Sequence, residues 1–130
     1  MKLGRIAMLV ALAMSAVTGC VSRQKSGPVS WVDAPSPPTV TVQNDNWLDV
    51  AVYLIRGGAR SRIGTVRSIS SETFRLTGEN AGAIPVQILA DPIGSNARYM
   101  TDPVVLGPGQ RLELRVGSPI AVSTFSVWNH

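Results

Sequence analysis

Arg111-Leu112-Glu113-Leu114-Arg115-Val116 alternates strictly between charged and apolar side chains. A β-strand sends successive side chains to opposite faces, so Leu112, Leu114 and Val116 point into a core and the three charges into water. Gly107-Pro108-Gly109, just before it, makes a rigid reversal. Leu48-Asp49-Val50-Ala51-Val52-Tyr53-Leu54-Ile55 is apolar on both faces after Asp49, the pattern of a central strand covered on each side. Gly57-Gly58 then offers two positions free to take positive φ in a hairpin, and Asp91-Pro92-Ile93-Gly94 marks a further turn.

Working outward from these segments, β-rich runs separated by turn clusters predict strands at 39–43, 48–56, 62–66, 73–76, 84–90, 102–106, 111–116 and 120–128. No helical periodicity competes with them. The expected fold is all-β, an antiparallel β-sandwich of about seven to eight strands with Ig-like or transthyretin-like topology, preceded by a signal helix and a Pro-rich linker. The chain of 130 residues holds a single such domain, expected over 39–130, with a signal peptide at 1–19 and a linker at 20–38.

The first segment has three parts: a basic start carrying Lys2 and Arg5, an apolar run over 6–17, and a small-residue exit at Val17-Thr18-Gly19-Cys20. Twelve apolar residues span about 18 Å as a helix, too short for roughly 30 Å of hydrocarbon. Val17-Thr18-Gly19-Cys20 resembles the lipobox of bacterial lipoproteins, with an aliphatic residue three before the cysteine and small residues between. The resemblance implies diacylglycerol transfer to the Cys20 sulfur, cleavage between Gly19 and Cys20, and an acylated N-terminus anchored in a membrane. Val21 follows the cysteine rather than an aspartate, which in this class favours the outer membrane, facing the periplasm.

Residues 21–38 include Pro28, Pro35, Pro37 and Pro38 and show little periodicity, so they read as a tether reaching at most ~60 Å. Trp31 interrupts the pattern; docking of 29–33 on the domain as an edge strand is its expected role, and rest at the membrane interface is the alternative. Loss of Lys2 and Arg5 with the signal takes the net charge from +4 to +2. That lacks the dense basic stripe of a nucleic-acid binder.

Chemistry is sparse. Cys20 is the only cysteine and His130 the only histidine, so neither a serine-type triad nor an imidazole or thiolate metal cluster can be assembled. No catalytic residue, cofactor or metal is expected. Asn44-Asp45-Asn46 with Asp49 lacks the spacing of a calcium loop and reads as Asx turns. Arg56, Arg60, Arg62 and Arg67 cluster around the Gly57-Gly58 hairpin and form the one concentrated positive patch, suited to an anionic partner. Trp47, Tyr99, Met100 and Trp128 are expected to pack in the core or at its rim.

The resulting expectation is a lipid-anchored binding or assembly module of the cell envelope, without catalytic activity. Its partners are the membrane, through the anchor, and an envelope protein or anionic polymer. A structural subunit of an envelope secretion or transport complex is the alternative, since small sandwich lipoproteins of type VI secretion are similar in lipobox, size and β pattern. A hydrolase acting through two converging carboxylates drawn from Asp45, Asp49, Glu72, Glu79, Asp91, Asp102 and Glu113 is a third reading.

Overall fold

The computed structural model describes residues 34–129. The signal peptide, Cys20, Trp31 and His130 lie outside the described residues. Eight strands run in chain order: β1 (Thr39–Asn44), β2 (Val50–Arg56), β3 (Ala59–Val66), β4 (Ser70–Arg75), β5 (Val86–Pro92), β6 (Tyr99–Met100), β7 (Gln110–Val116) and β8 (Thr124–Asn129). They form two four-stranded sheets, β4-β1-β7-β8 and β3-β2-β5-β6. An immunoglobulin constant domain pairs its first strand with its second. Here β1 lies between β4 and β7, which leaves the transthyretin-like arrangement of the two expected.

The core comes from alternation. Val40 and Val42 on β1, Val50, Val52 and Leu54 on β2, Ile88 and Ala90 on β5, and Leu112, Leu114 and Val116 on β7 are all buried in one cluster. Expected strand 111–116 therefore buries the face its sequence assigns. The Gly57-Gly58 hairpin has both residues at positive φ, 55° and 81°, as a two-residue turn matched to strand twist requires.

Four expectations change. The sandwich is not wholly antiparallel, because β1 and β7 pair in parallel, Val42 beside Leu114; these strands are far apart in the chain and no hairpin fixes their sense. The sixth strand is Tyr99–Met100 against Leu89 and Ala90, whereas 102–106 gives only a single bridge from Val104 to Val86. Pro103 lacks an N–H and cannot extend a ladder. Residues 120–128 do not form one strand: Ile120–Val122 is a 3₁₀ turn. The Ser123 hydroxyl closes it, donating to Ile120 O and accepting from Gly117 N. Finally, β2 is fully buried on its inner face but only in part on its outer face, where Ala51 is buried and Tyr53 and Ile55 are half-buried.

Strand directions sort the loops into two ends. At the proximal end the chain enters the domain: Pro38 O accepts from Leu76 N and Ser36 O from Gly109 N. At the distal end, one strand length or about 20 Å away, lie the loops that join β1 to β2, β3 to β4, β5 to β6 and β7 to β8.

Candidate functional site

The distal loops are built around Asn44, the last residue of β1, which is fully buried. Its two Nδ2 protons go to the carbonyls of Leu48 and Arg67, both at 2.9 Å, with the Val66 carbonyl sharing one of them at 3.3 Å. Its Oδ1 accepts from Asn46 N at 3.0 Å, and Asn46 Oδ1 accepts from Leu48 N at 3.0 Å, two successive Asx turns as the Asn44-Asp45-Asn46 run suggests. Asn46 Nδ2 reaches Gly117 O. Asp45 N donates to Val116 O, Ile69 N to Asn46 O, and Ile93 N to Asp49 O. The Asp49 carboxylate accepts from Ser68 N. The β3–β4, β5–β6 and β7–β8 loops are thus tied to one short segment of the β1–β2 loop.

Asp45 also meets Arg115 in an ion pair. The hydrogen bond from Arg115, then that from Gln43, hold the Asp45 carboxyl below its ordinary range.

This bracing holds apolar side chains out in water. Trp47 is 79% exposed, with Leu48, Ile69, Ile93 and Val122 also exposed on the distal loops. Ile69 has φ of +52°, the left-handed region that a β-branched residue avoids. Such a conformation costs on the order of 1–3 kcal/mol and persists only where surrounding structure over-determines it; the hydrogen bond to Asn46 O is part of that constraint. Packing was the expectation for Trp47, Tyr99, Met100 and Trp128. Only Tyr99 packs against the core; burial, then the charge of Asp102, raises its phenol above the usual range. The other three are exposed because their supports end beneath them: Trp47 tips a loop, Met100 ends a two-residue strand, and Trp128 lies on the outer face of an edge strand.

The expected arginine patch divides. Arg60 and Arg62 pair with Ile55 and Tyr53 on the outer face of β2. Arg56, two residues beyond inward-facing Leu54, leaves that face, its Nη2 3.3 Å from where a Cβ would stand at Gly82. Arg67 follows β3 at the distal end, away from the hairpin. Arg98, from the β5–β6 loop, takes their place: Asp91 Oδ1 accepts from Arg98 Nε at 3.2 Å while Oδ2 lies 3.5 Å from Arg60 Nη2. The Arg60 guanidinium carbon also sits 3.7 Å from the Tyr53 ring centroid. Asp45, Asp49 and Asp91 each serve a separate contact, and no group of three or more His, Cys, Asp or Glu residues gathers among the described residues.

No family model matches the chain, and no curated relative matches it. The chain is similar to a protein from Eubacterium rectale whose structure was determined by NMR, at 15% identity and a TM-score of 0.45, over 75% of this chain and 91% of that one. So remote a likeness carries no functional argument.

Proposed function

We propose that the protein is a lipid-anchored assembly module of the cell envelope, without catalytic activity, held through Cys20 in the outer membrane and facing the periplasm. It acts by presenting its distal end to a protein partner. The observation that carries this reading is Trp47, 79% exposed on a loop whose backbone is hydrogen-bonded to three neighbouring loops. A rigid tryptophan at the same end as smaller exposed apolar side chains is the composition of an interface hot spot, because its contact area is gained without ordering a mobile loop.

A structural subunit of an envelope secretion or transport complex is the second reading. It is favoured by β8, an edge strand with exposed Val127 and Trp128 that gives the domain a second surface. A subunit inside a machine needs two contacts; an adaptor needs one.

Extraction of bacterial membranes in mild detergent, followed by native electrophoresis, tests the proposal. Wild-type protein is expected in the membrane fraction within a discrete assembly larger than the monomer. Trp47→Ala stays with the membrane but weakens partner affinity by about 2–4 kcal/mol, roughly 30- to 1,000-fold, and runs as free protein. Cys20→Ser leaves the membrane fraction. Retention of the assembly by Trp47→Ala rejects the distal interface, and unchanged fractionation and processing of Cys20→Ser rejects the anchor.

A further inference from the structure

On the outer face of the β3-β2-β5 sheet, beside the distal loops, lies a hollow of about 390 Å³. That is within the range of roughly 300–1,000 Å³ that small-ligand sites occupy. Buried Ala51 and Pro92 line it together with Tyr53, Arg62, Ser95 and Arg98. Asp91 also lines it and braces two guanidiniums at once, Arg98 on one oxygen and Arg60 on the other.

The charges do not cancel. Asp91 pairs with Arg60 and Arg98, and Arg62 lines the same hollow, so three guanidiniums stand against the one carboxylate among its lining residues and two positive charges are left over. Neutralising Asp91, whose side chain is 19% exposed, needs one arginine; the second and third have no such purpose. All three are held in place before any ligand arrives. Arg60 lies on the Tyr53 ring, Arg98 is tied to Asp91, and Arg62 Nη2 donates to Thr65 Oγ1 at 2.6 Å. Each guanidinium has five N–H donors and spends few of them here, leaving the rest free towards solvent. Ser95 Oγ accepts from Ala97 N, which leaves its O–H to donate.

We propose that this hollow binds a phosphate monoester dianion, with Arg62, Arg98 and Ser95 as donors and Arg60 supplying further positive charge. A phosphate monoester carries about −1.5 to −2 near neutral pH, matching the surplus of two, whereas a single carboxylate leaves one cation unpaired. Planar arginine forks suit phosphate oxygens, and bracing by Asp91, Tyr53 and Thr65 reduces the side-chain entropy lost on binding. Trp47 does not line the hollow, whereas Ile93 of the distal loops does, so the arginine substitutions and not Trp47→Ala distinguish this site from the distal interface.

The test is a titration of the ¹⁵N-labelled full-length lipoprotein in zwitterionic detergent with inorganic phosphate, at constant ionic strength, reading arginine Nε–H and backbone amide shifts. Saturable shifts at Arg62, Arg98 and Ser95 in the low-millimolar range are expected, at least tenfold tighter than with acetate. Arg62→Ala and Arg98→Ala each weaken binding at least tenfold, while Arg75→Ala, on another surface, does not. Glycerol 3-phosphate and nanodiscs containing phosphatidic acid separate the sources: a response to the first alone identifies a soluble ester, and to the second alone a lipid headgroup. Unsaturable shifts spread equally over Arg67, Arg75 and Arg115, or undiminished binding by the Arg62→Ala/Arg98→Ala double variant, would overturn the site.

Discussion

Asn44→Ala is expected to lower the unfolding free energy of the domain by about 3 kcal/mol and to release the loop that carries Trp47. The side chain is fully buried; its two Nδ2 protons go to Leu48 O and Arg67 O, with Val66 O sharing one at 3.3 Å, and its Oδ1 accepts from Asn46 N. Truncation leaves Asn46 N–H without its partner and three carbonyls short of a donor, and an unsatisfied buried group costs ~1–3 kcal/mol. Relaxation and water entry recover part of the sum, which sets the total near the upper end of the range for a single group. Asn44→Asp keeps the shape but turns a carboxylate oxygen towards three carbonyls, so it does no better. Urea unfolding reads the stability, and amide exchange over 45–49 reads the loop. A loss under about 1 kcal/mol with unchanged exchange would show that the loop does not depend on Asn44.

Leu114→Ala carries the other large effect, a loss of about 3–5 kcal/mol. Leu114 is fully buried at the centre of its sheet, in register with Val42 on β1 and Phe125 on β8. Packed neighbours on both sides limit collapse into the vacated volume, which places the cost in the upper part of the leucine range. Its neighbour Arg115 points the other way and pairs with Asp45 at the surface. Arg115→Ala is therefore expected to cost less than about 1 kcal/mol. Urea unfolding of the two adjacent substitutions tests the alternation on which the fold was read. Comparable losses would mean that the two faces are not distinguished as described.

Alternation at 111–116 was legible because one buried face imposes a period of two on the side chains, whatever else the chain does. The hairpin at Gly57-Gly58 was legible because positive φ at both positions selects glycine. The sixth strand was not: its partners, Leu89 and Ala90, are set by tertiary pairing, and the more apolar run after it contains Pro103. Parallel pairing of β1 with β7 leaves no local mark either.

For the functional surfaces, closeness in sequence misled. Arg56, Arg60, Arg62 and Arg67 are neighbours along the chain, yet strand alternation and strand length carry Arg56 and Arg67 away, while Arg98 and Asp91 arrive from β5 and its following loop. The Asx-turn chemistry at Asn44-Asp45-Asn46 was readable; its consequence was not. Nothing in the composition around Trp47 says that a buried asparagine holds the loop outward instead of letting the indole fold onto the domain. The positive φ of Ile69 is equally silent in sequence, since it follows from a bond to another loop.

In the proposed function the distal end, and not the proximal one, meets a protein partner in the envelope. Photo-crosslinking in intact cells tests it most directly, with a photoreactive residue placed at Trp47 or Ile69 and, for comparison, at exposed Val105 near the proximal end. One discrete crosslinked protein species is expected from positions 47 and 69 and none from 105. Crosslinks from 105 alone, or equally from all three, would contradict it.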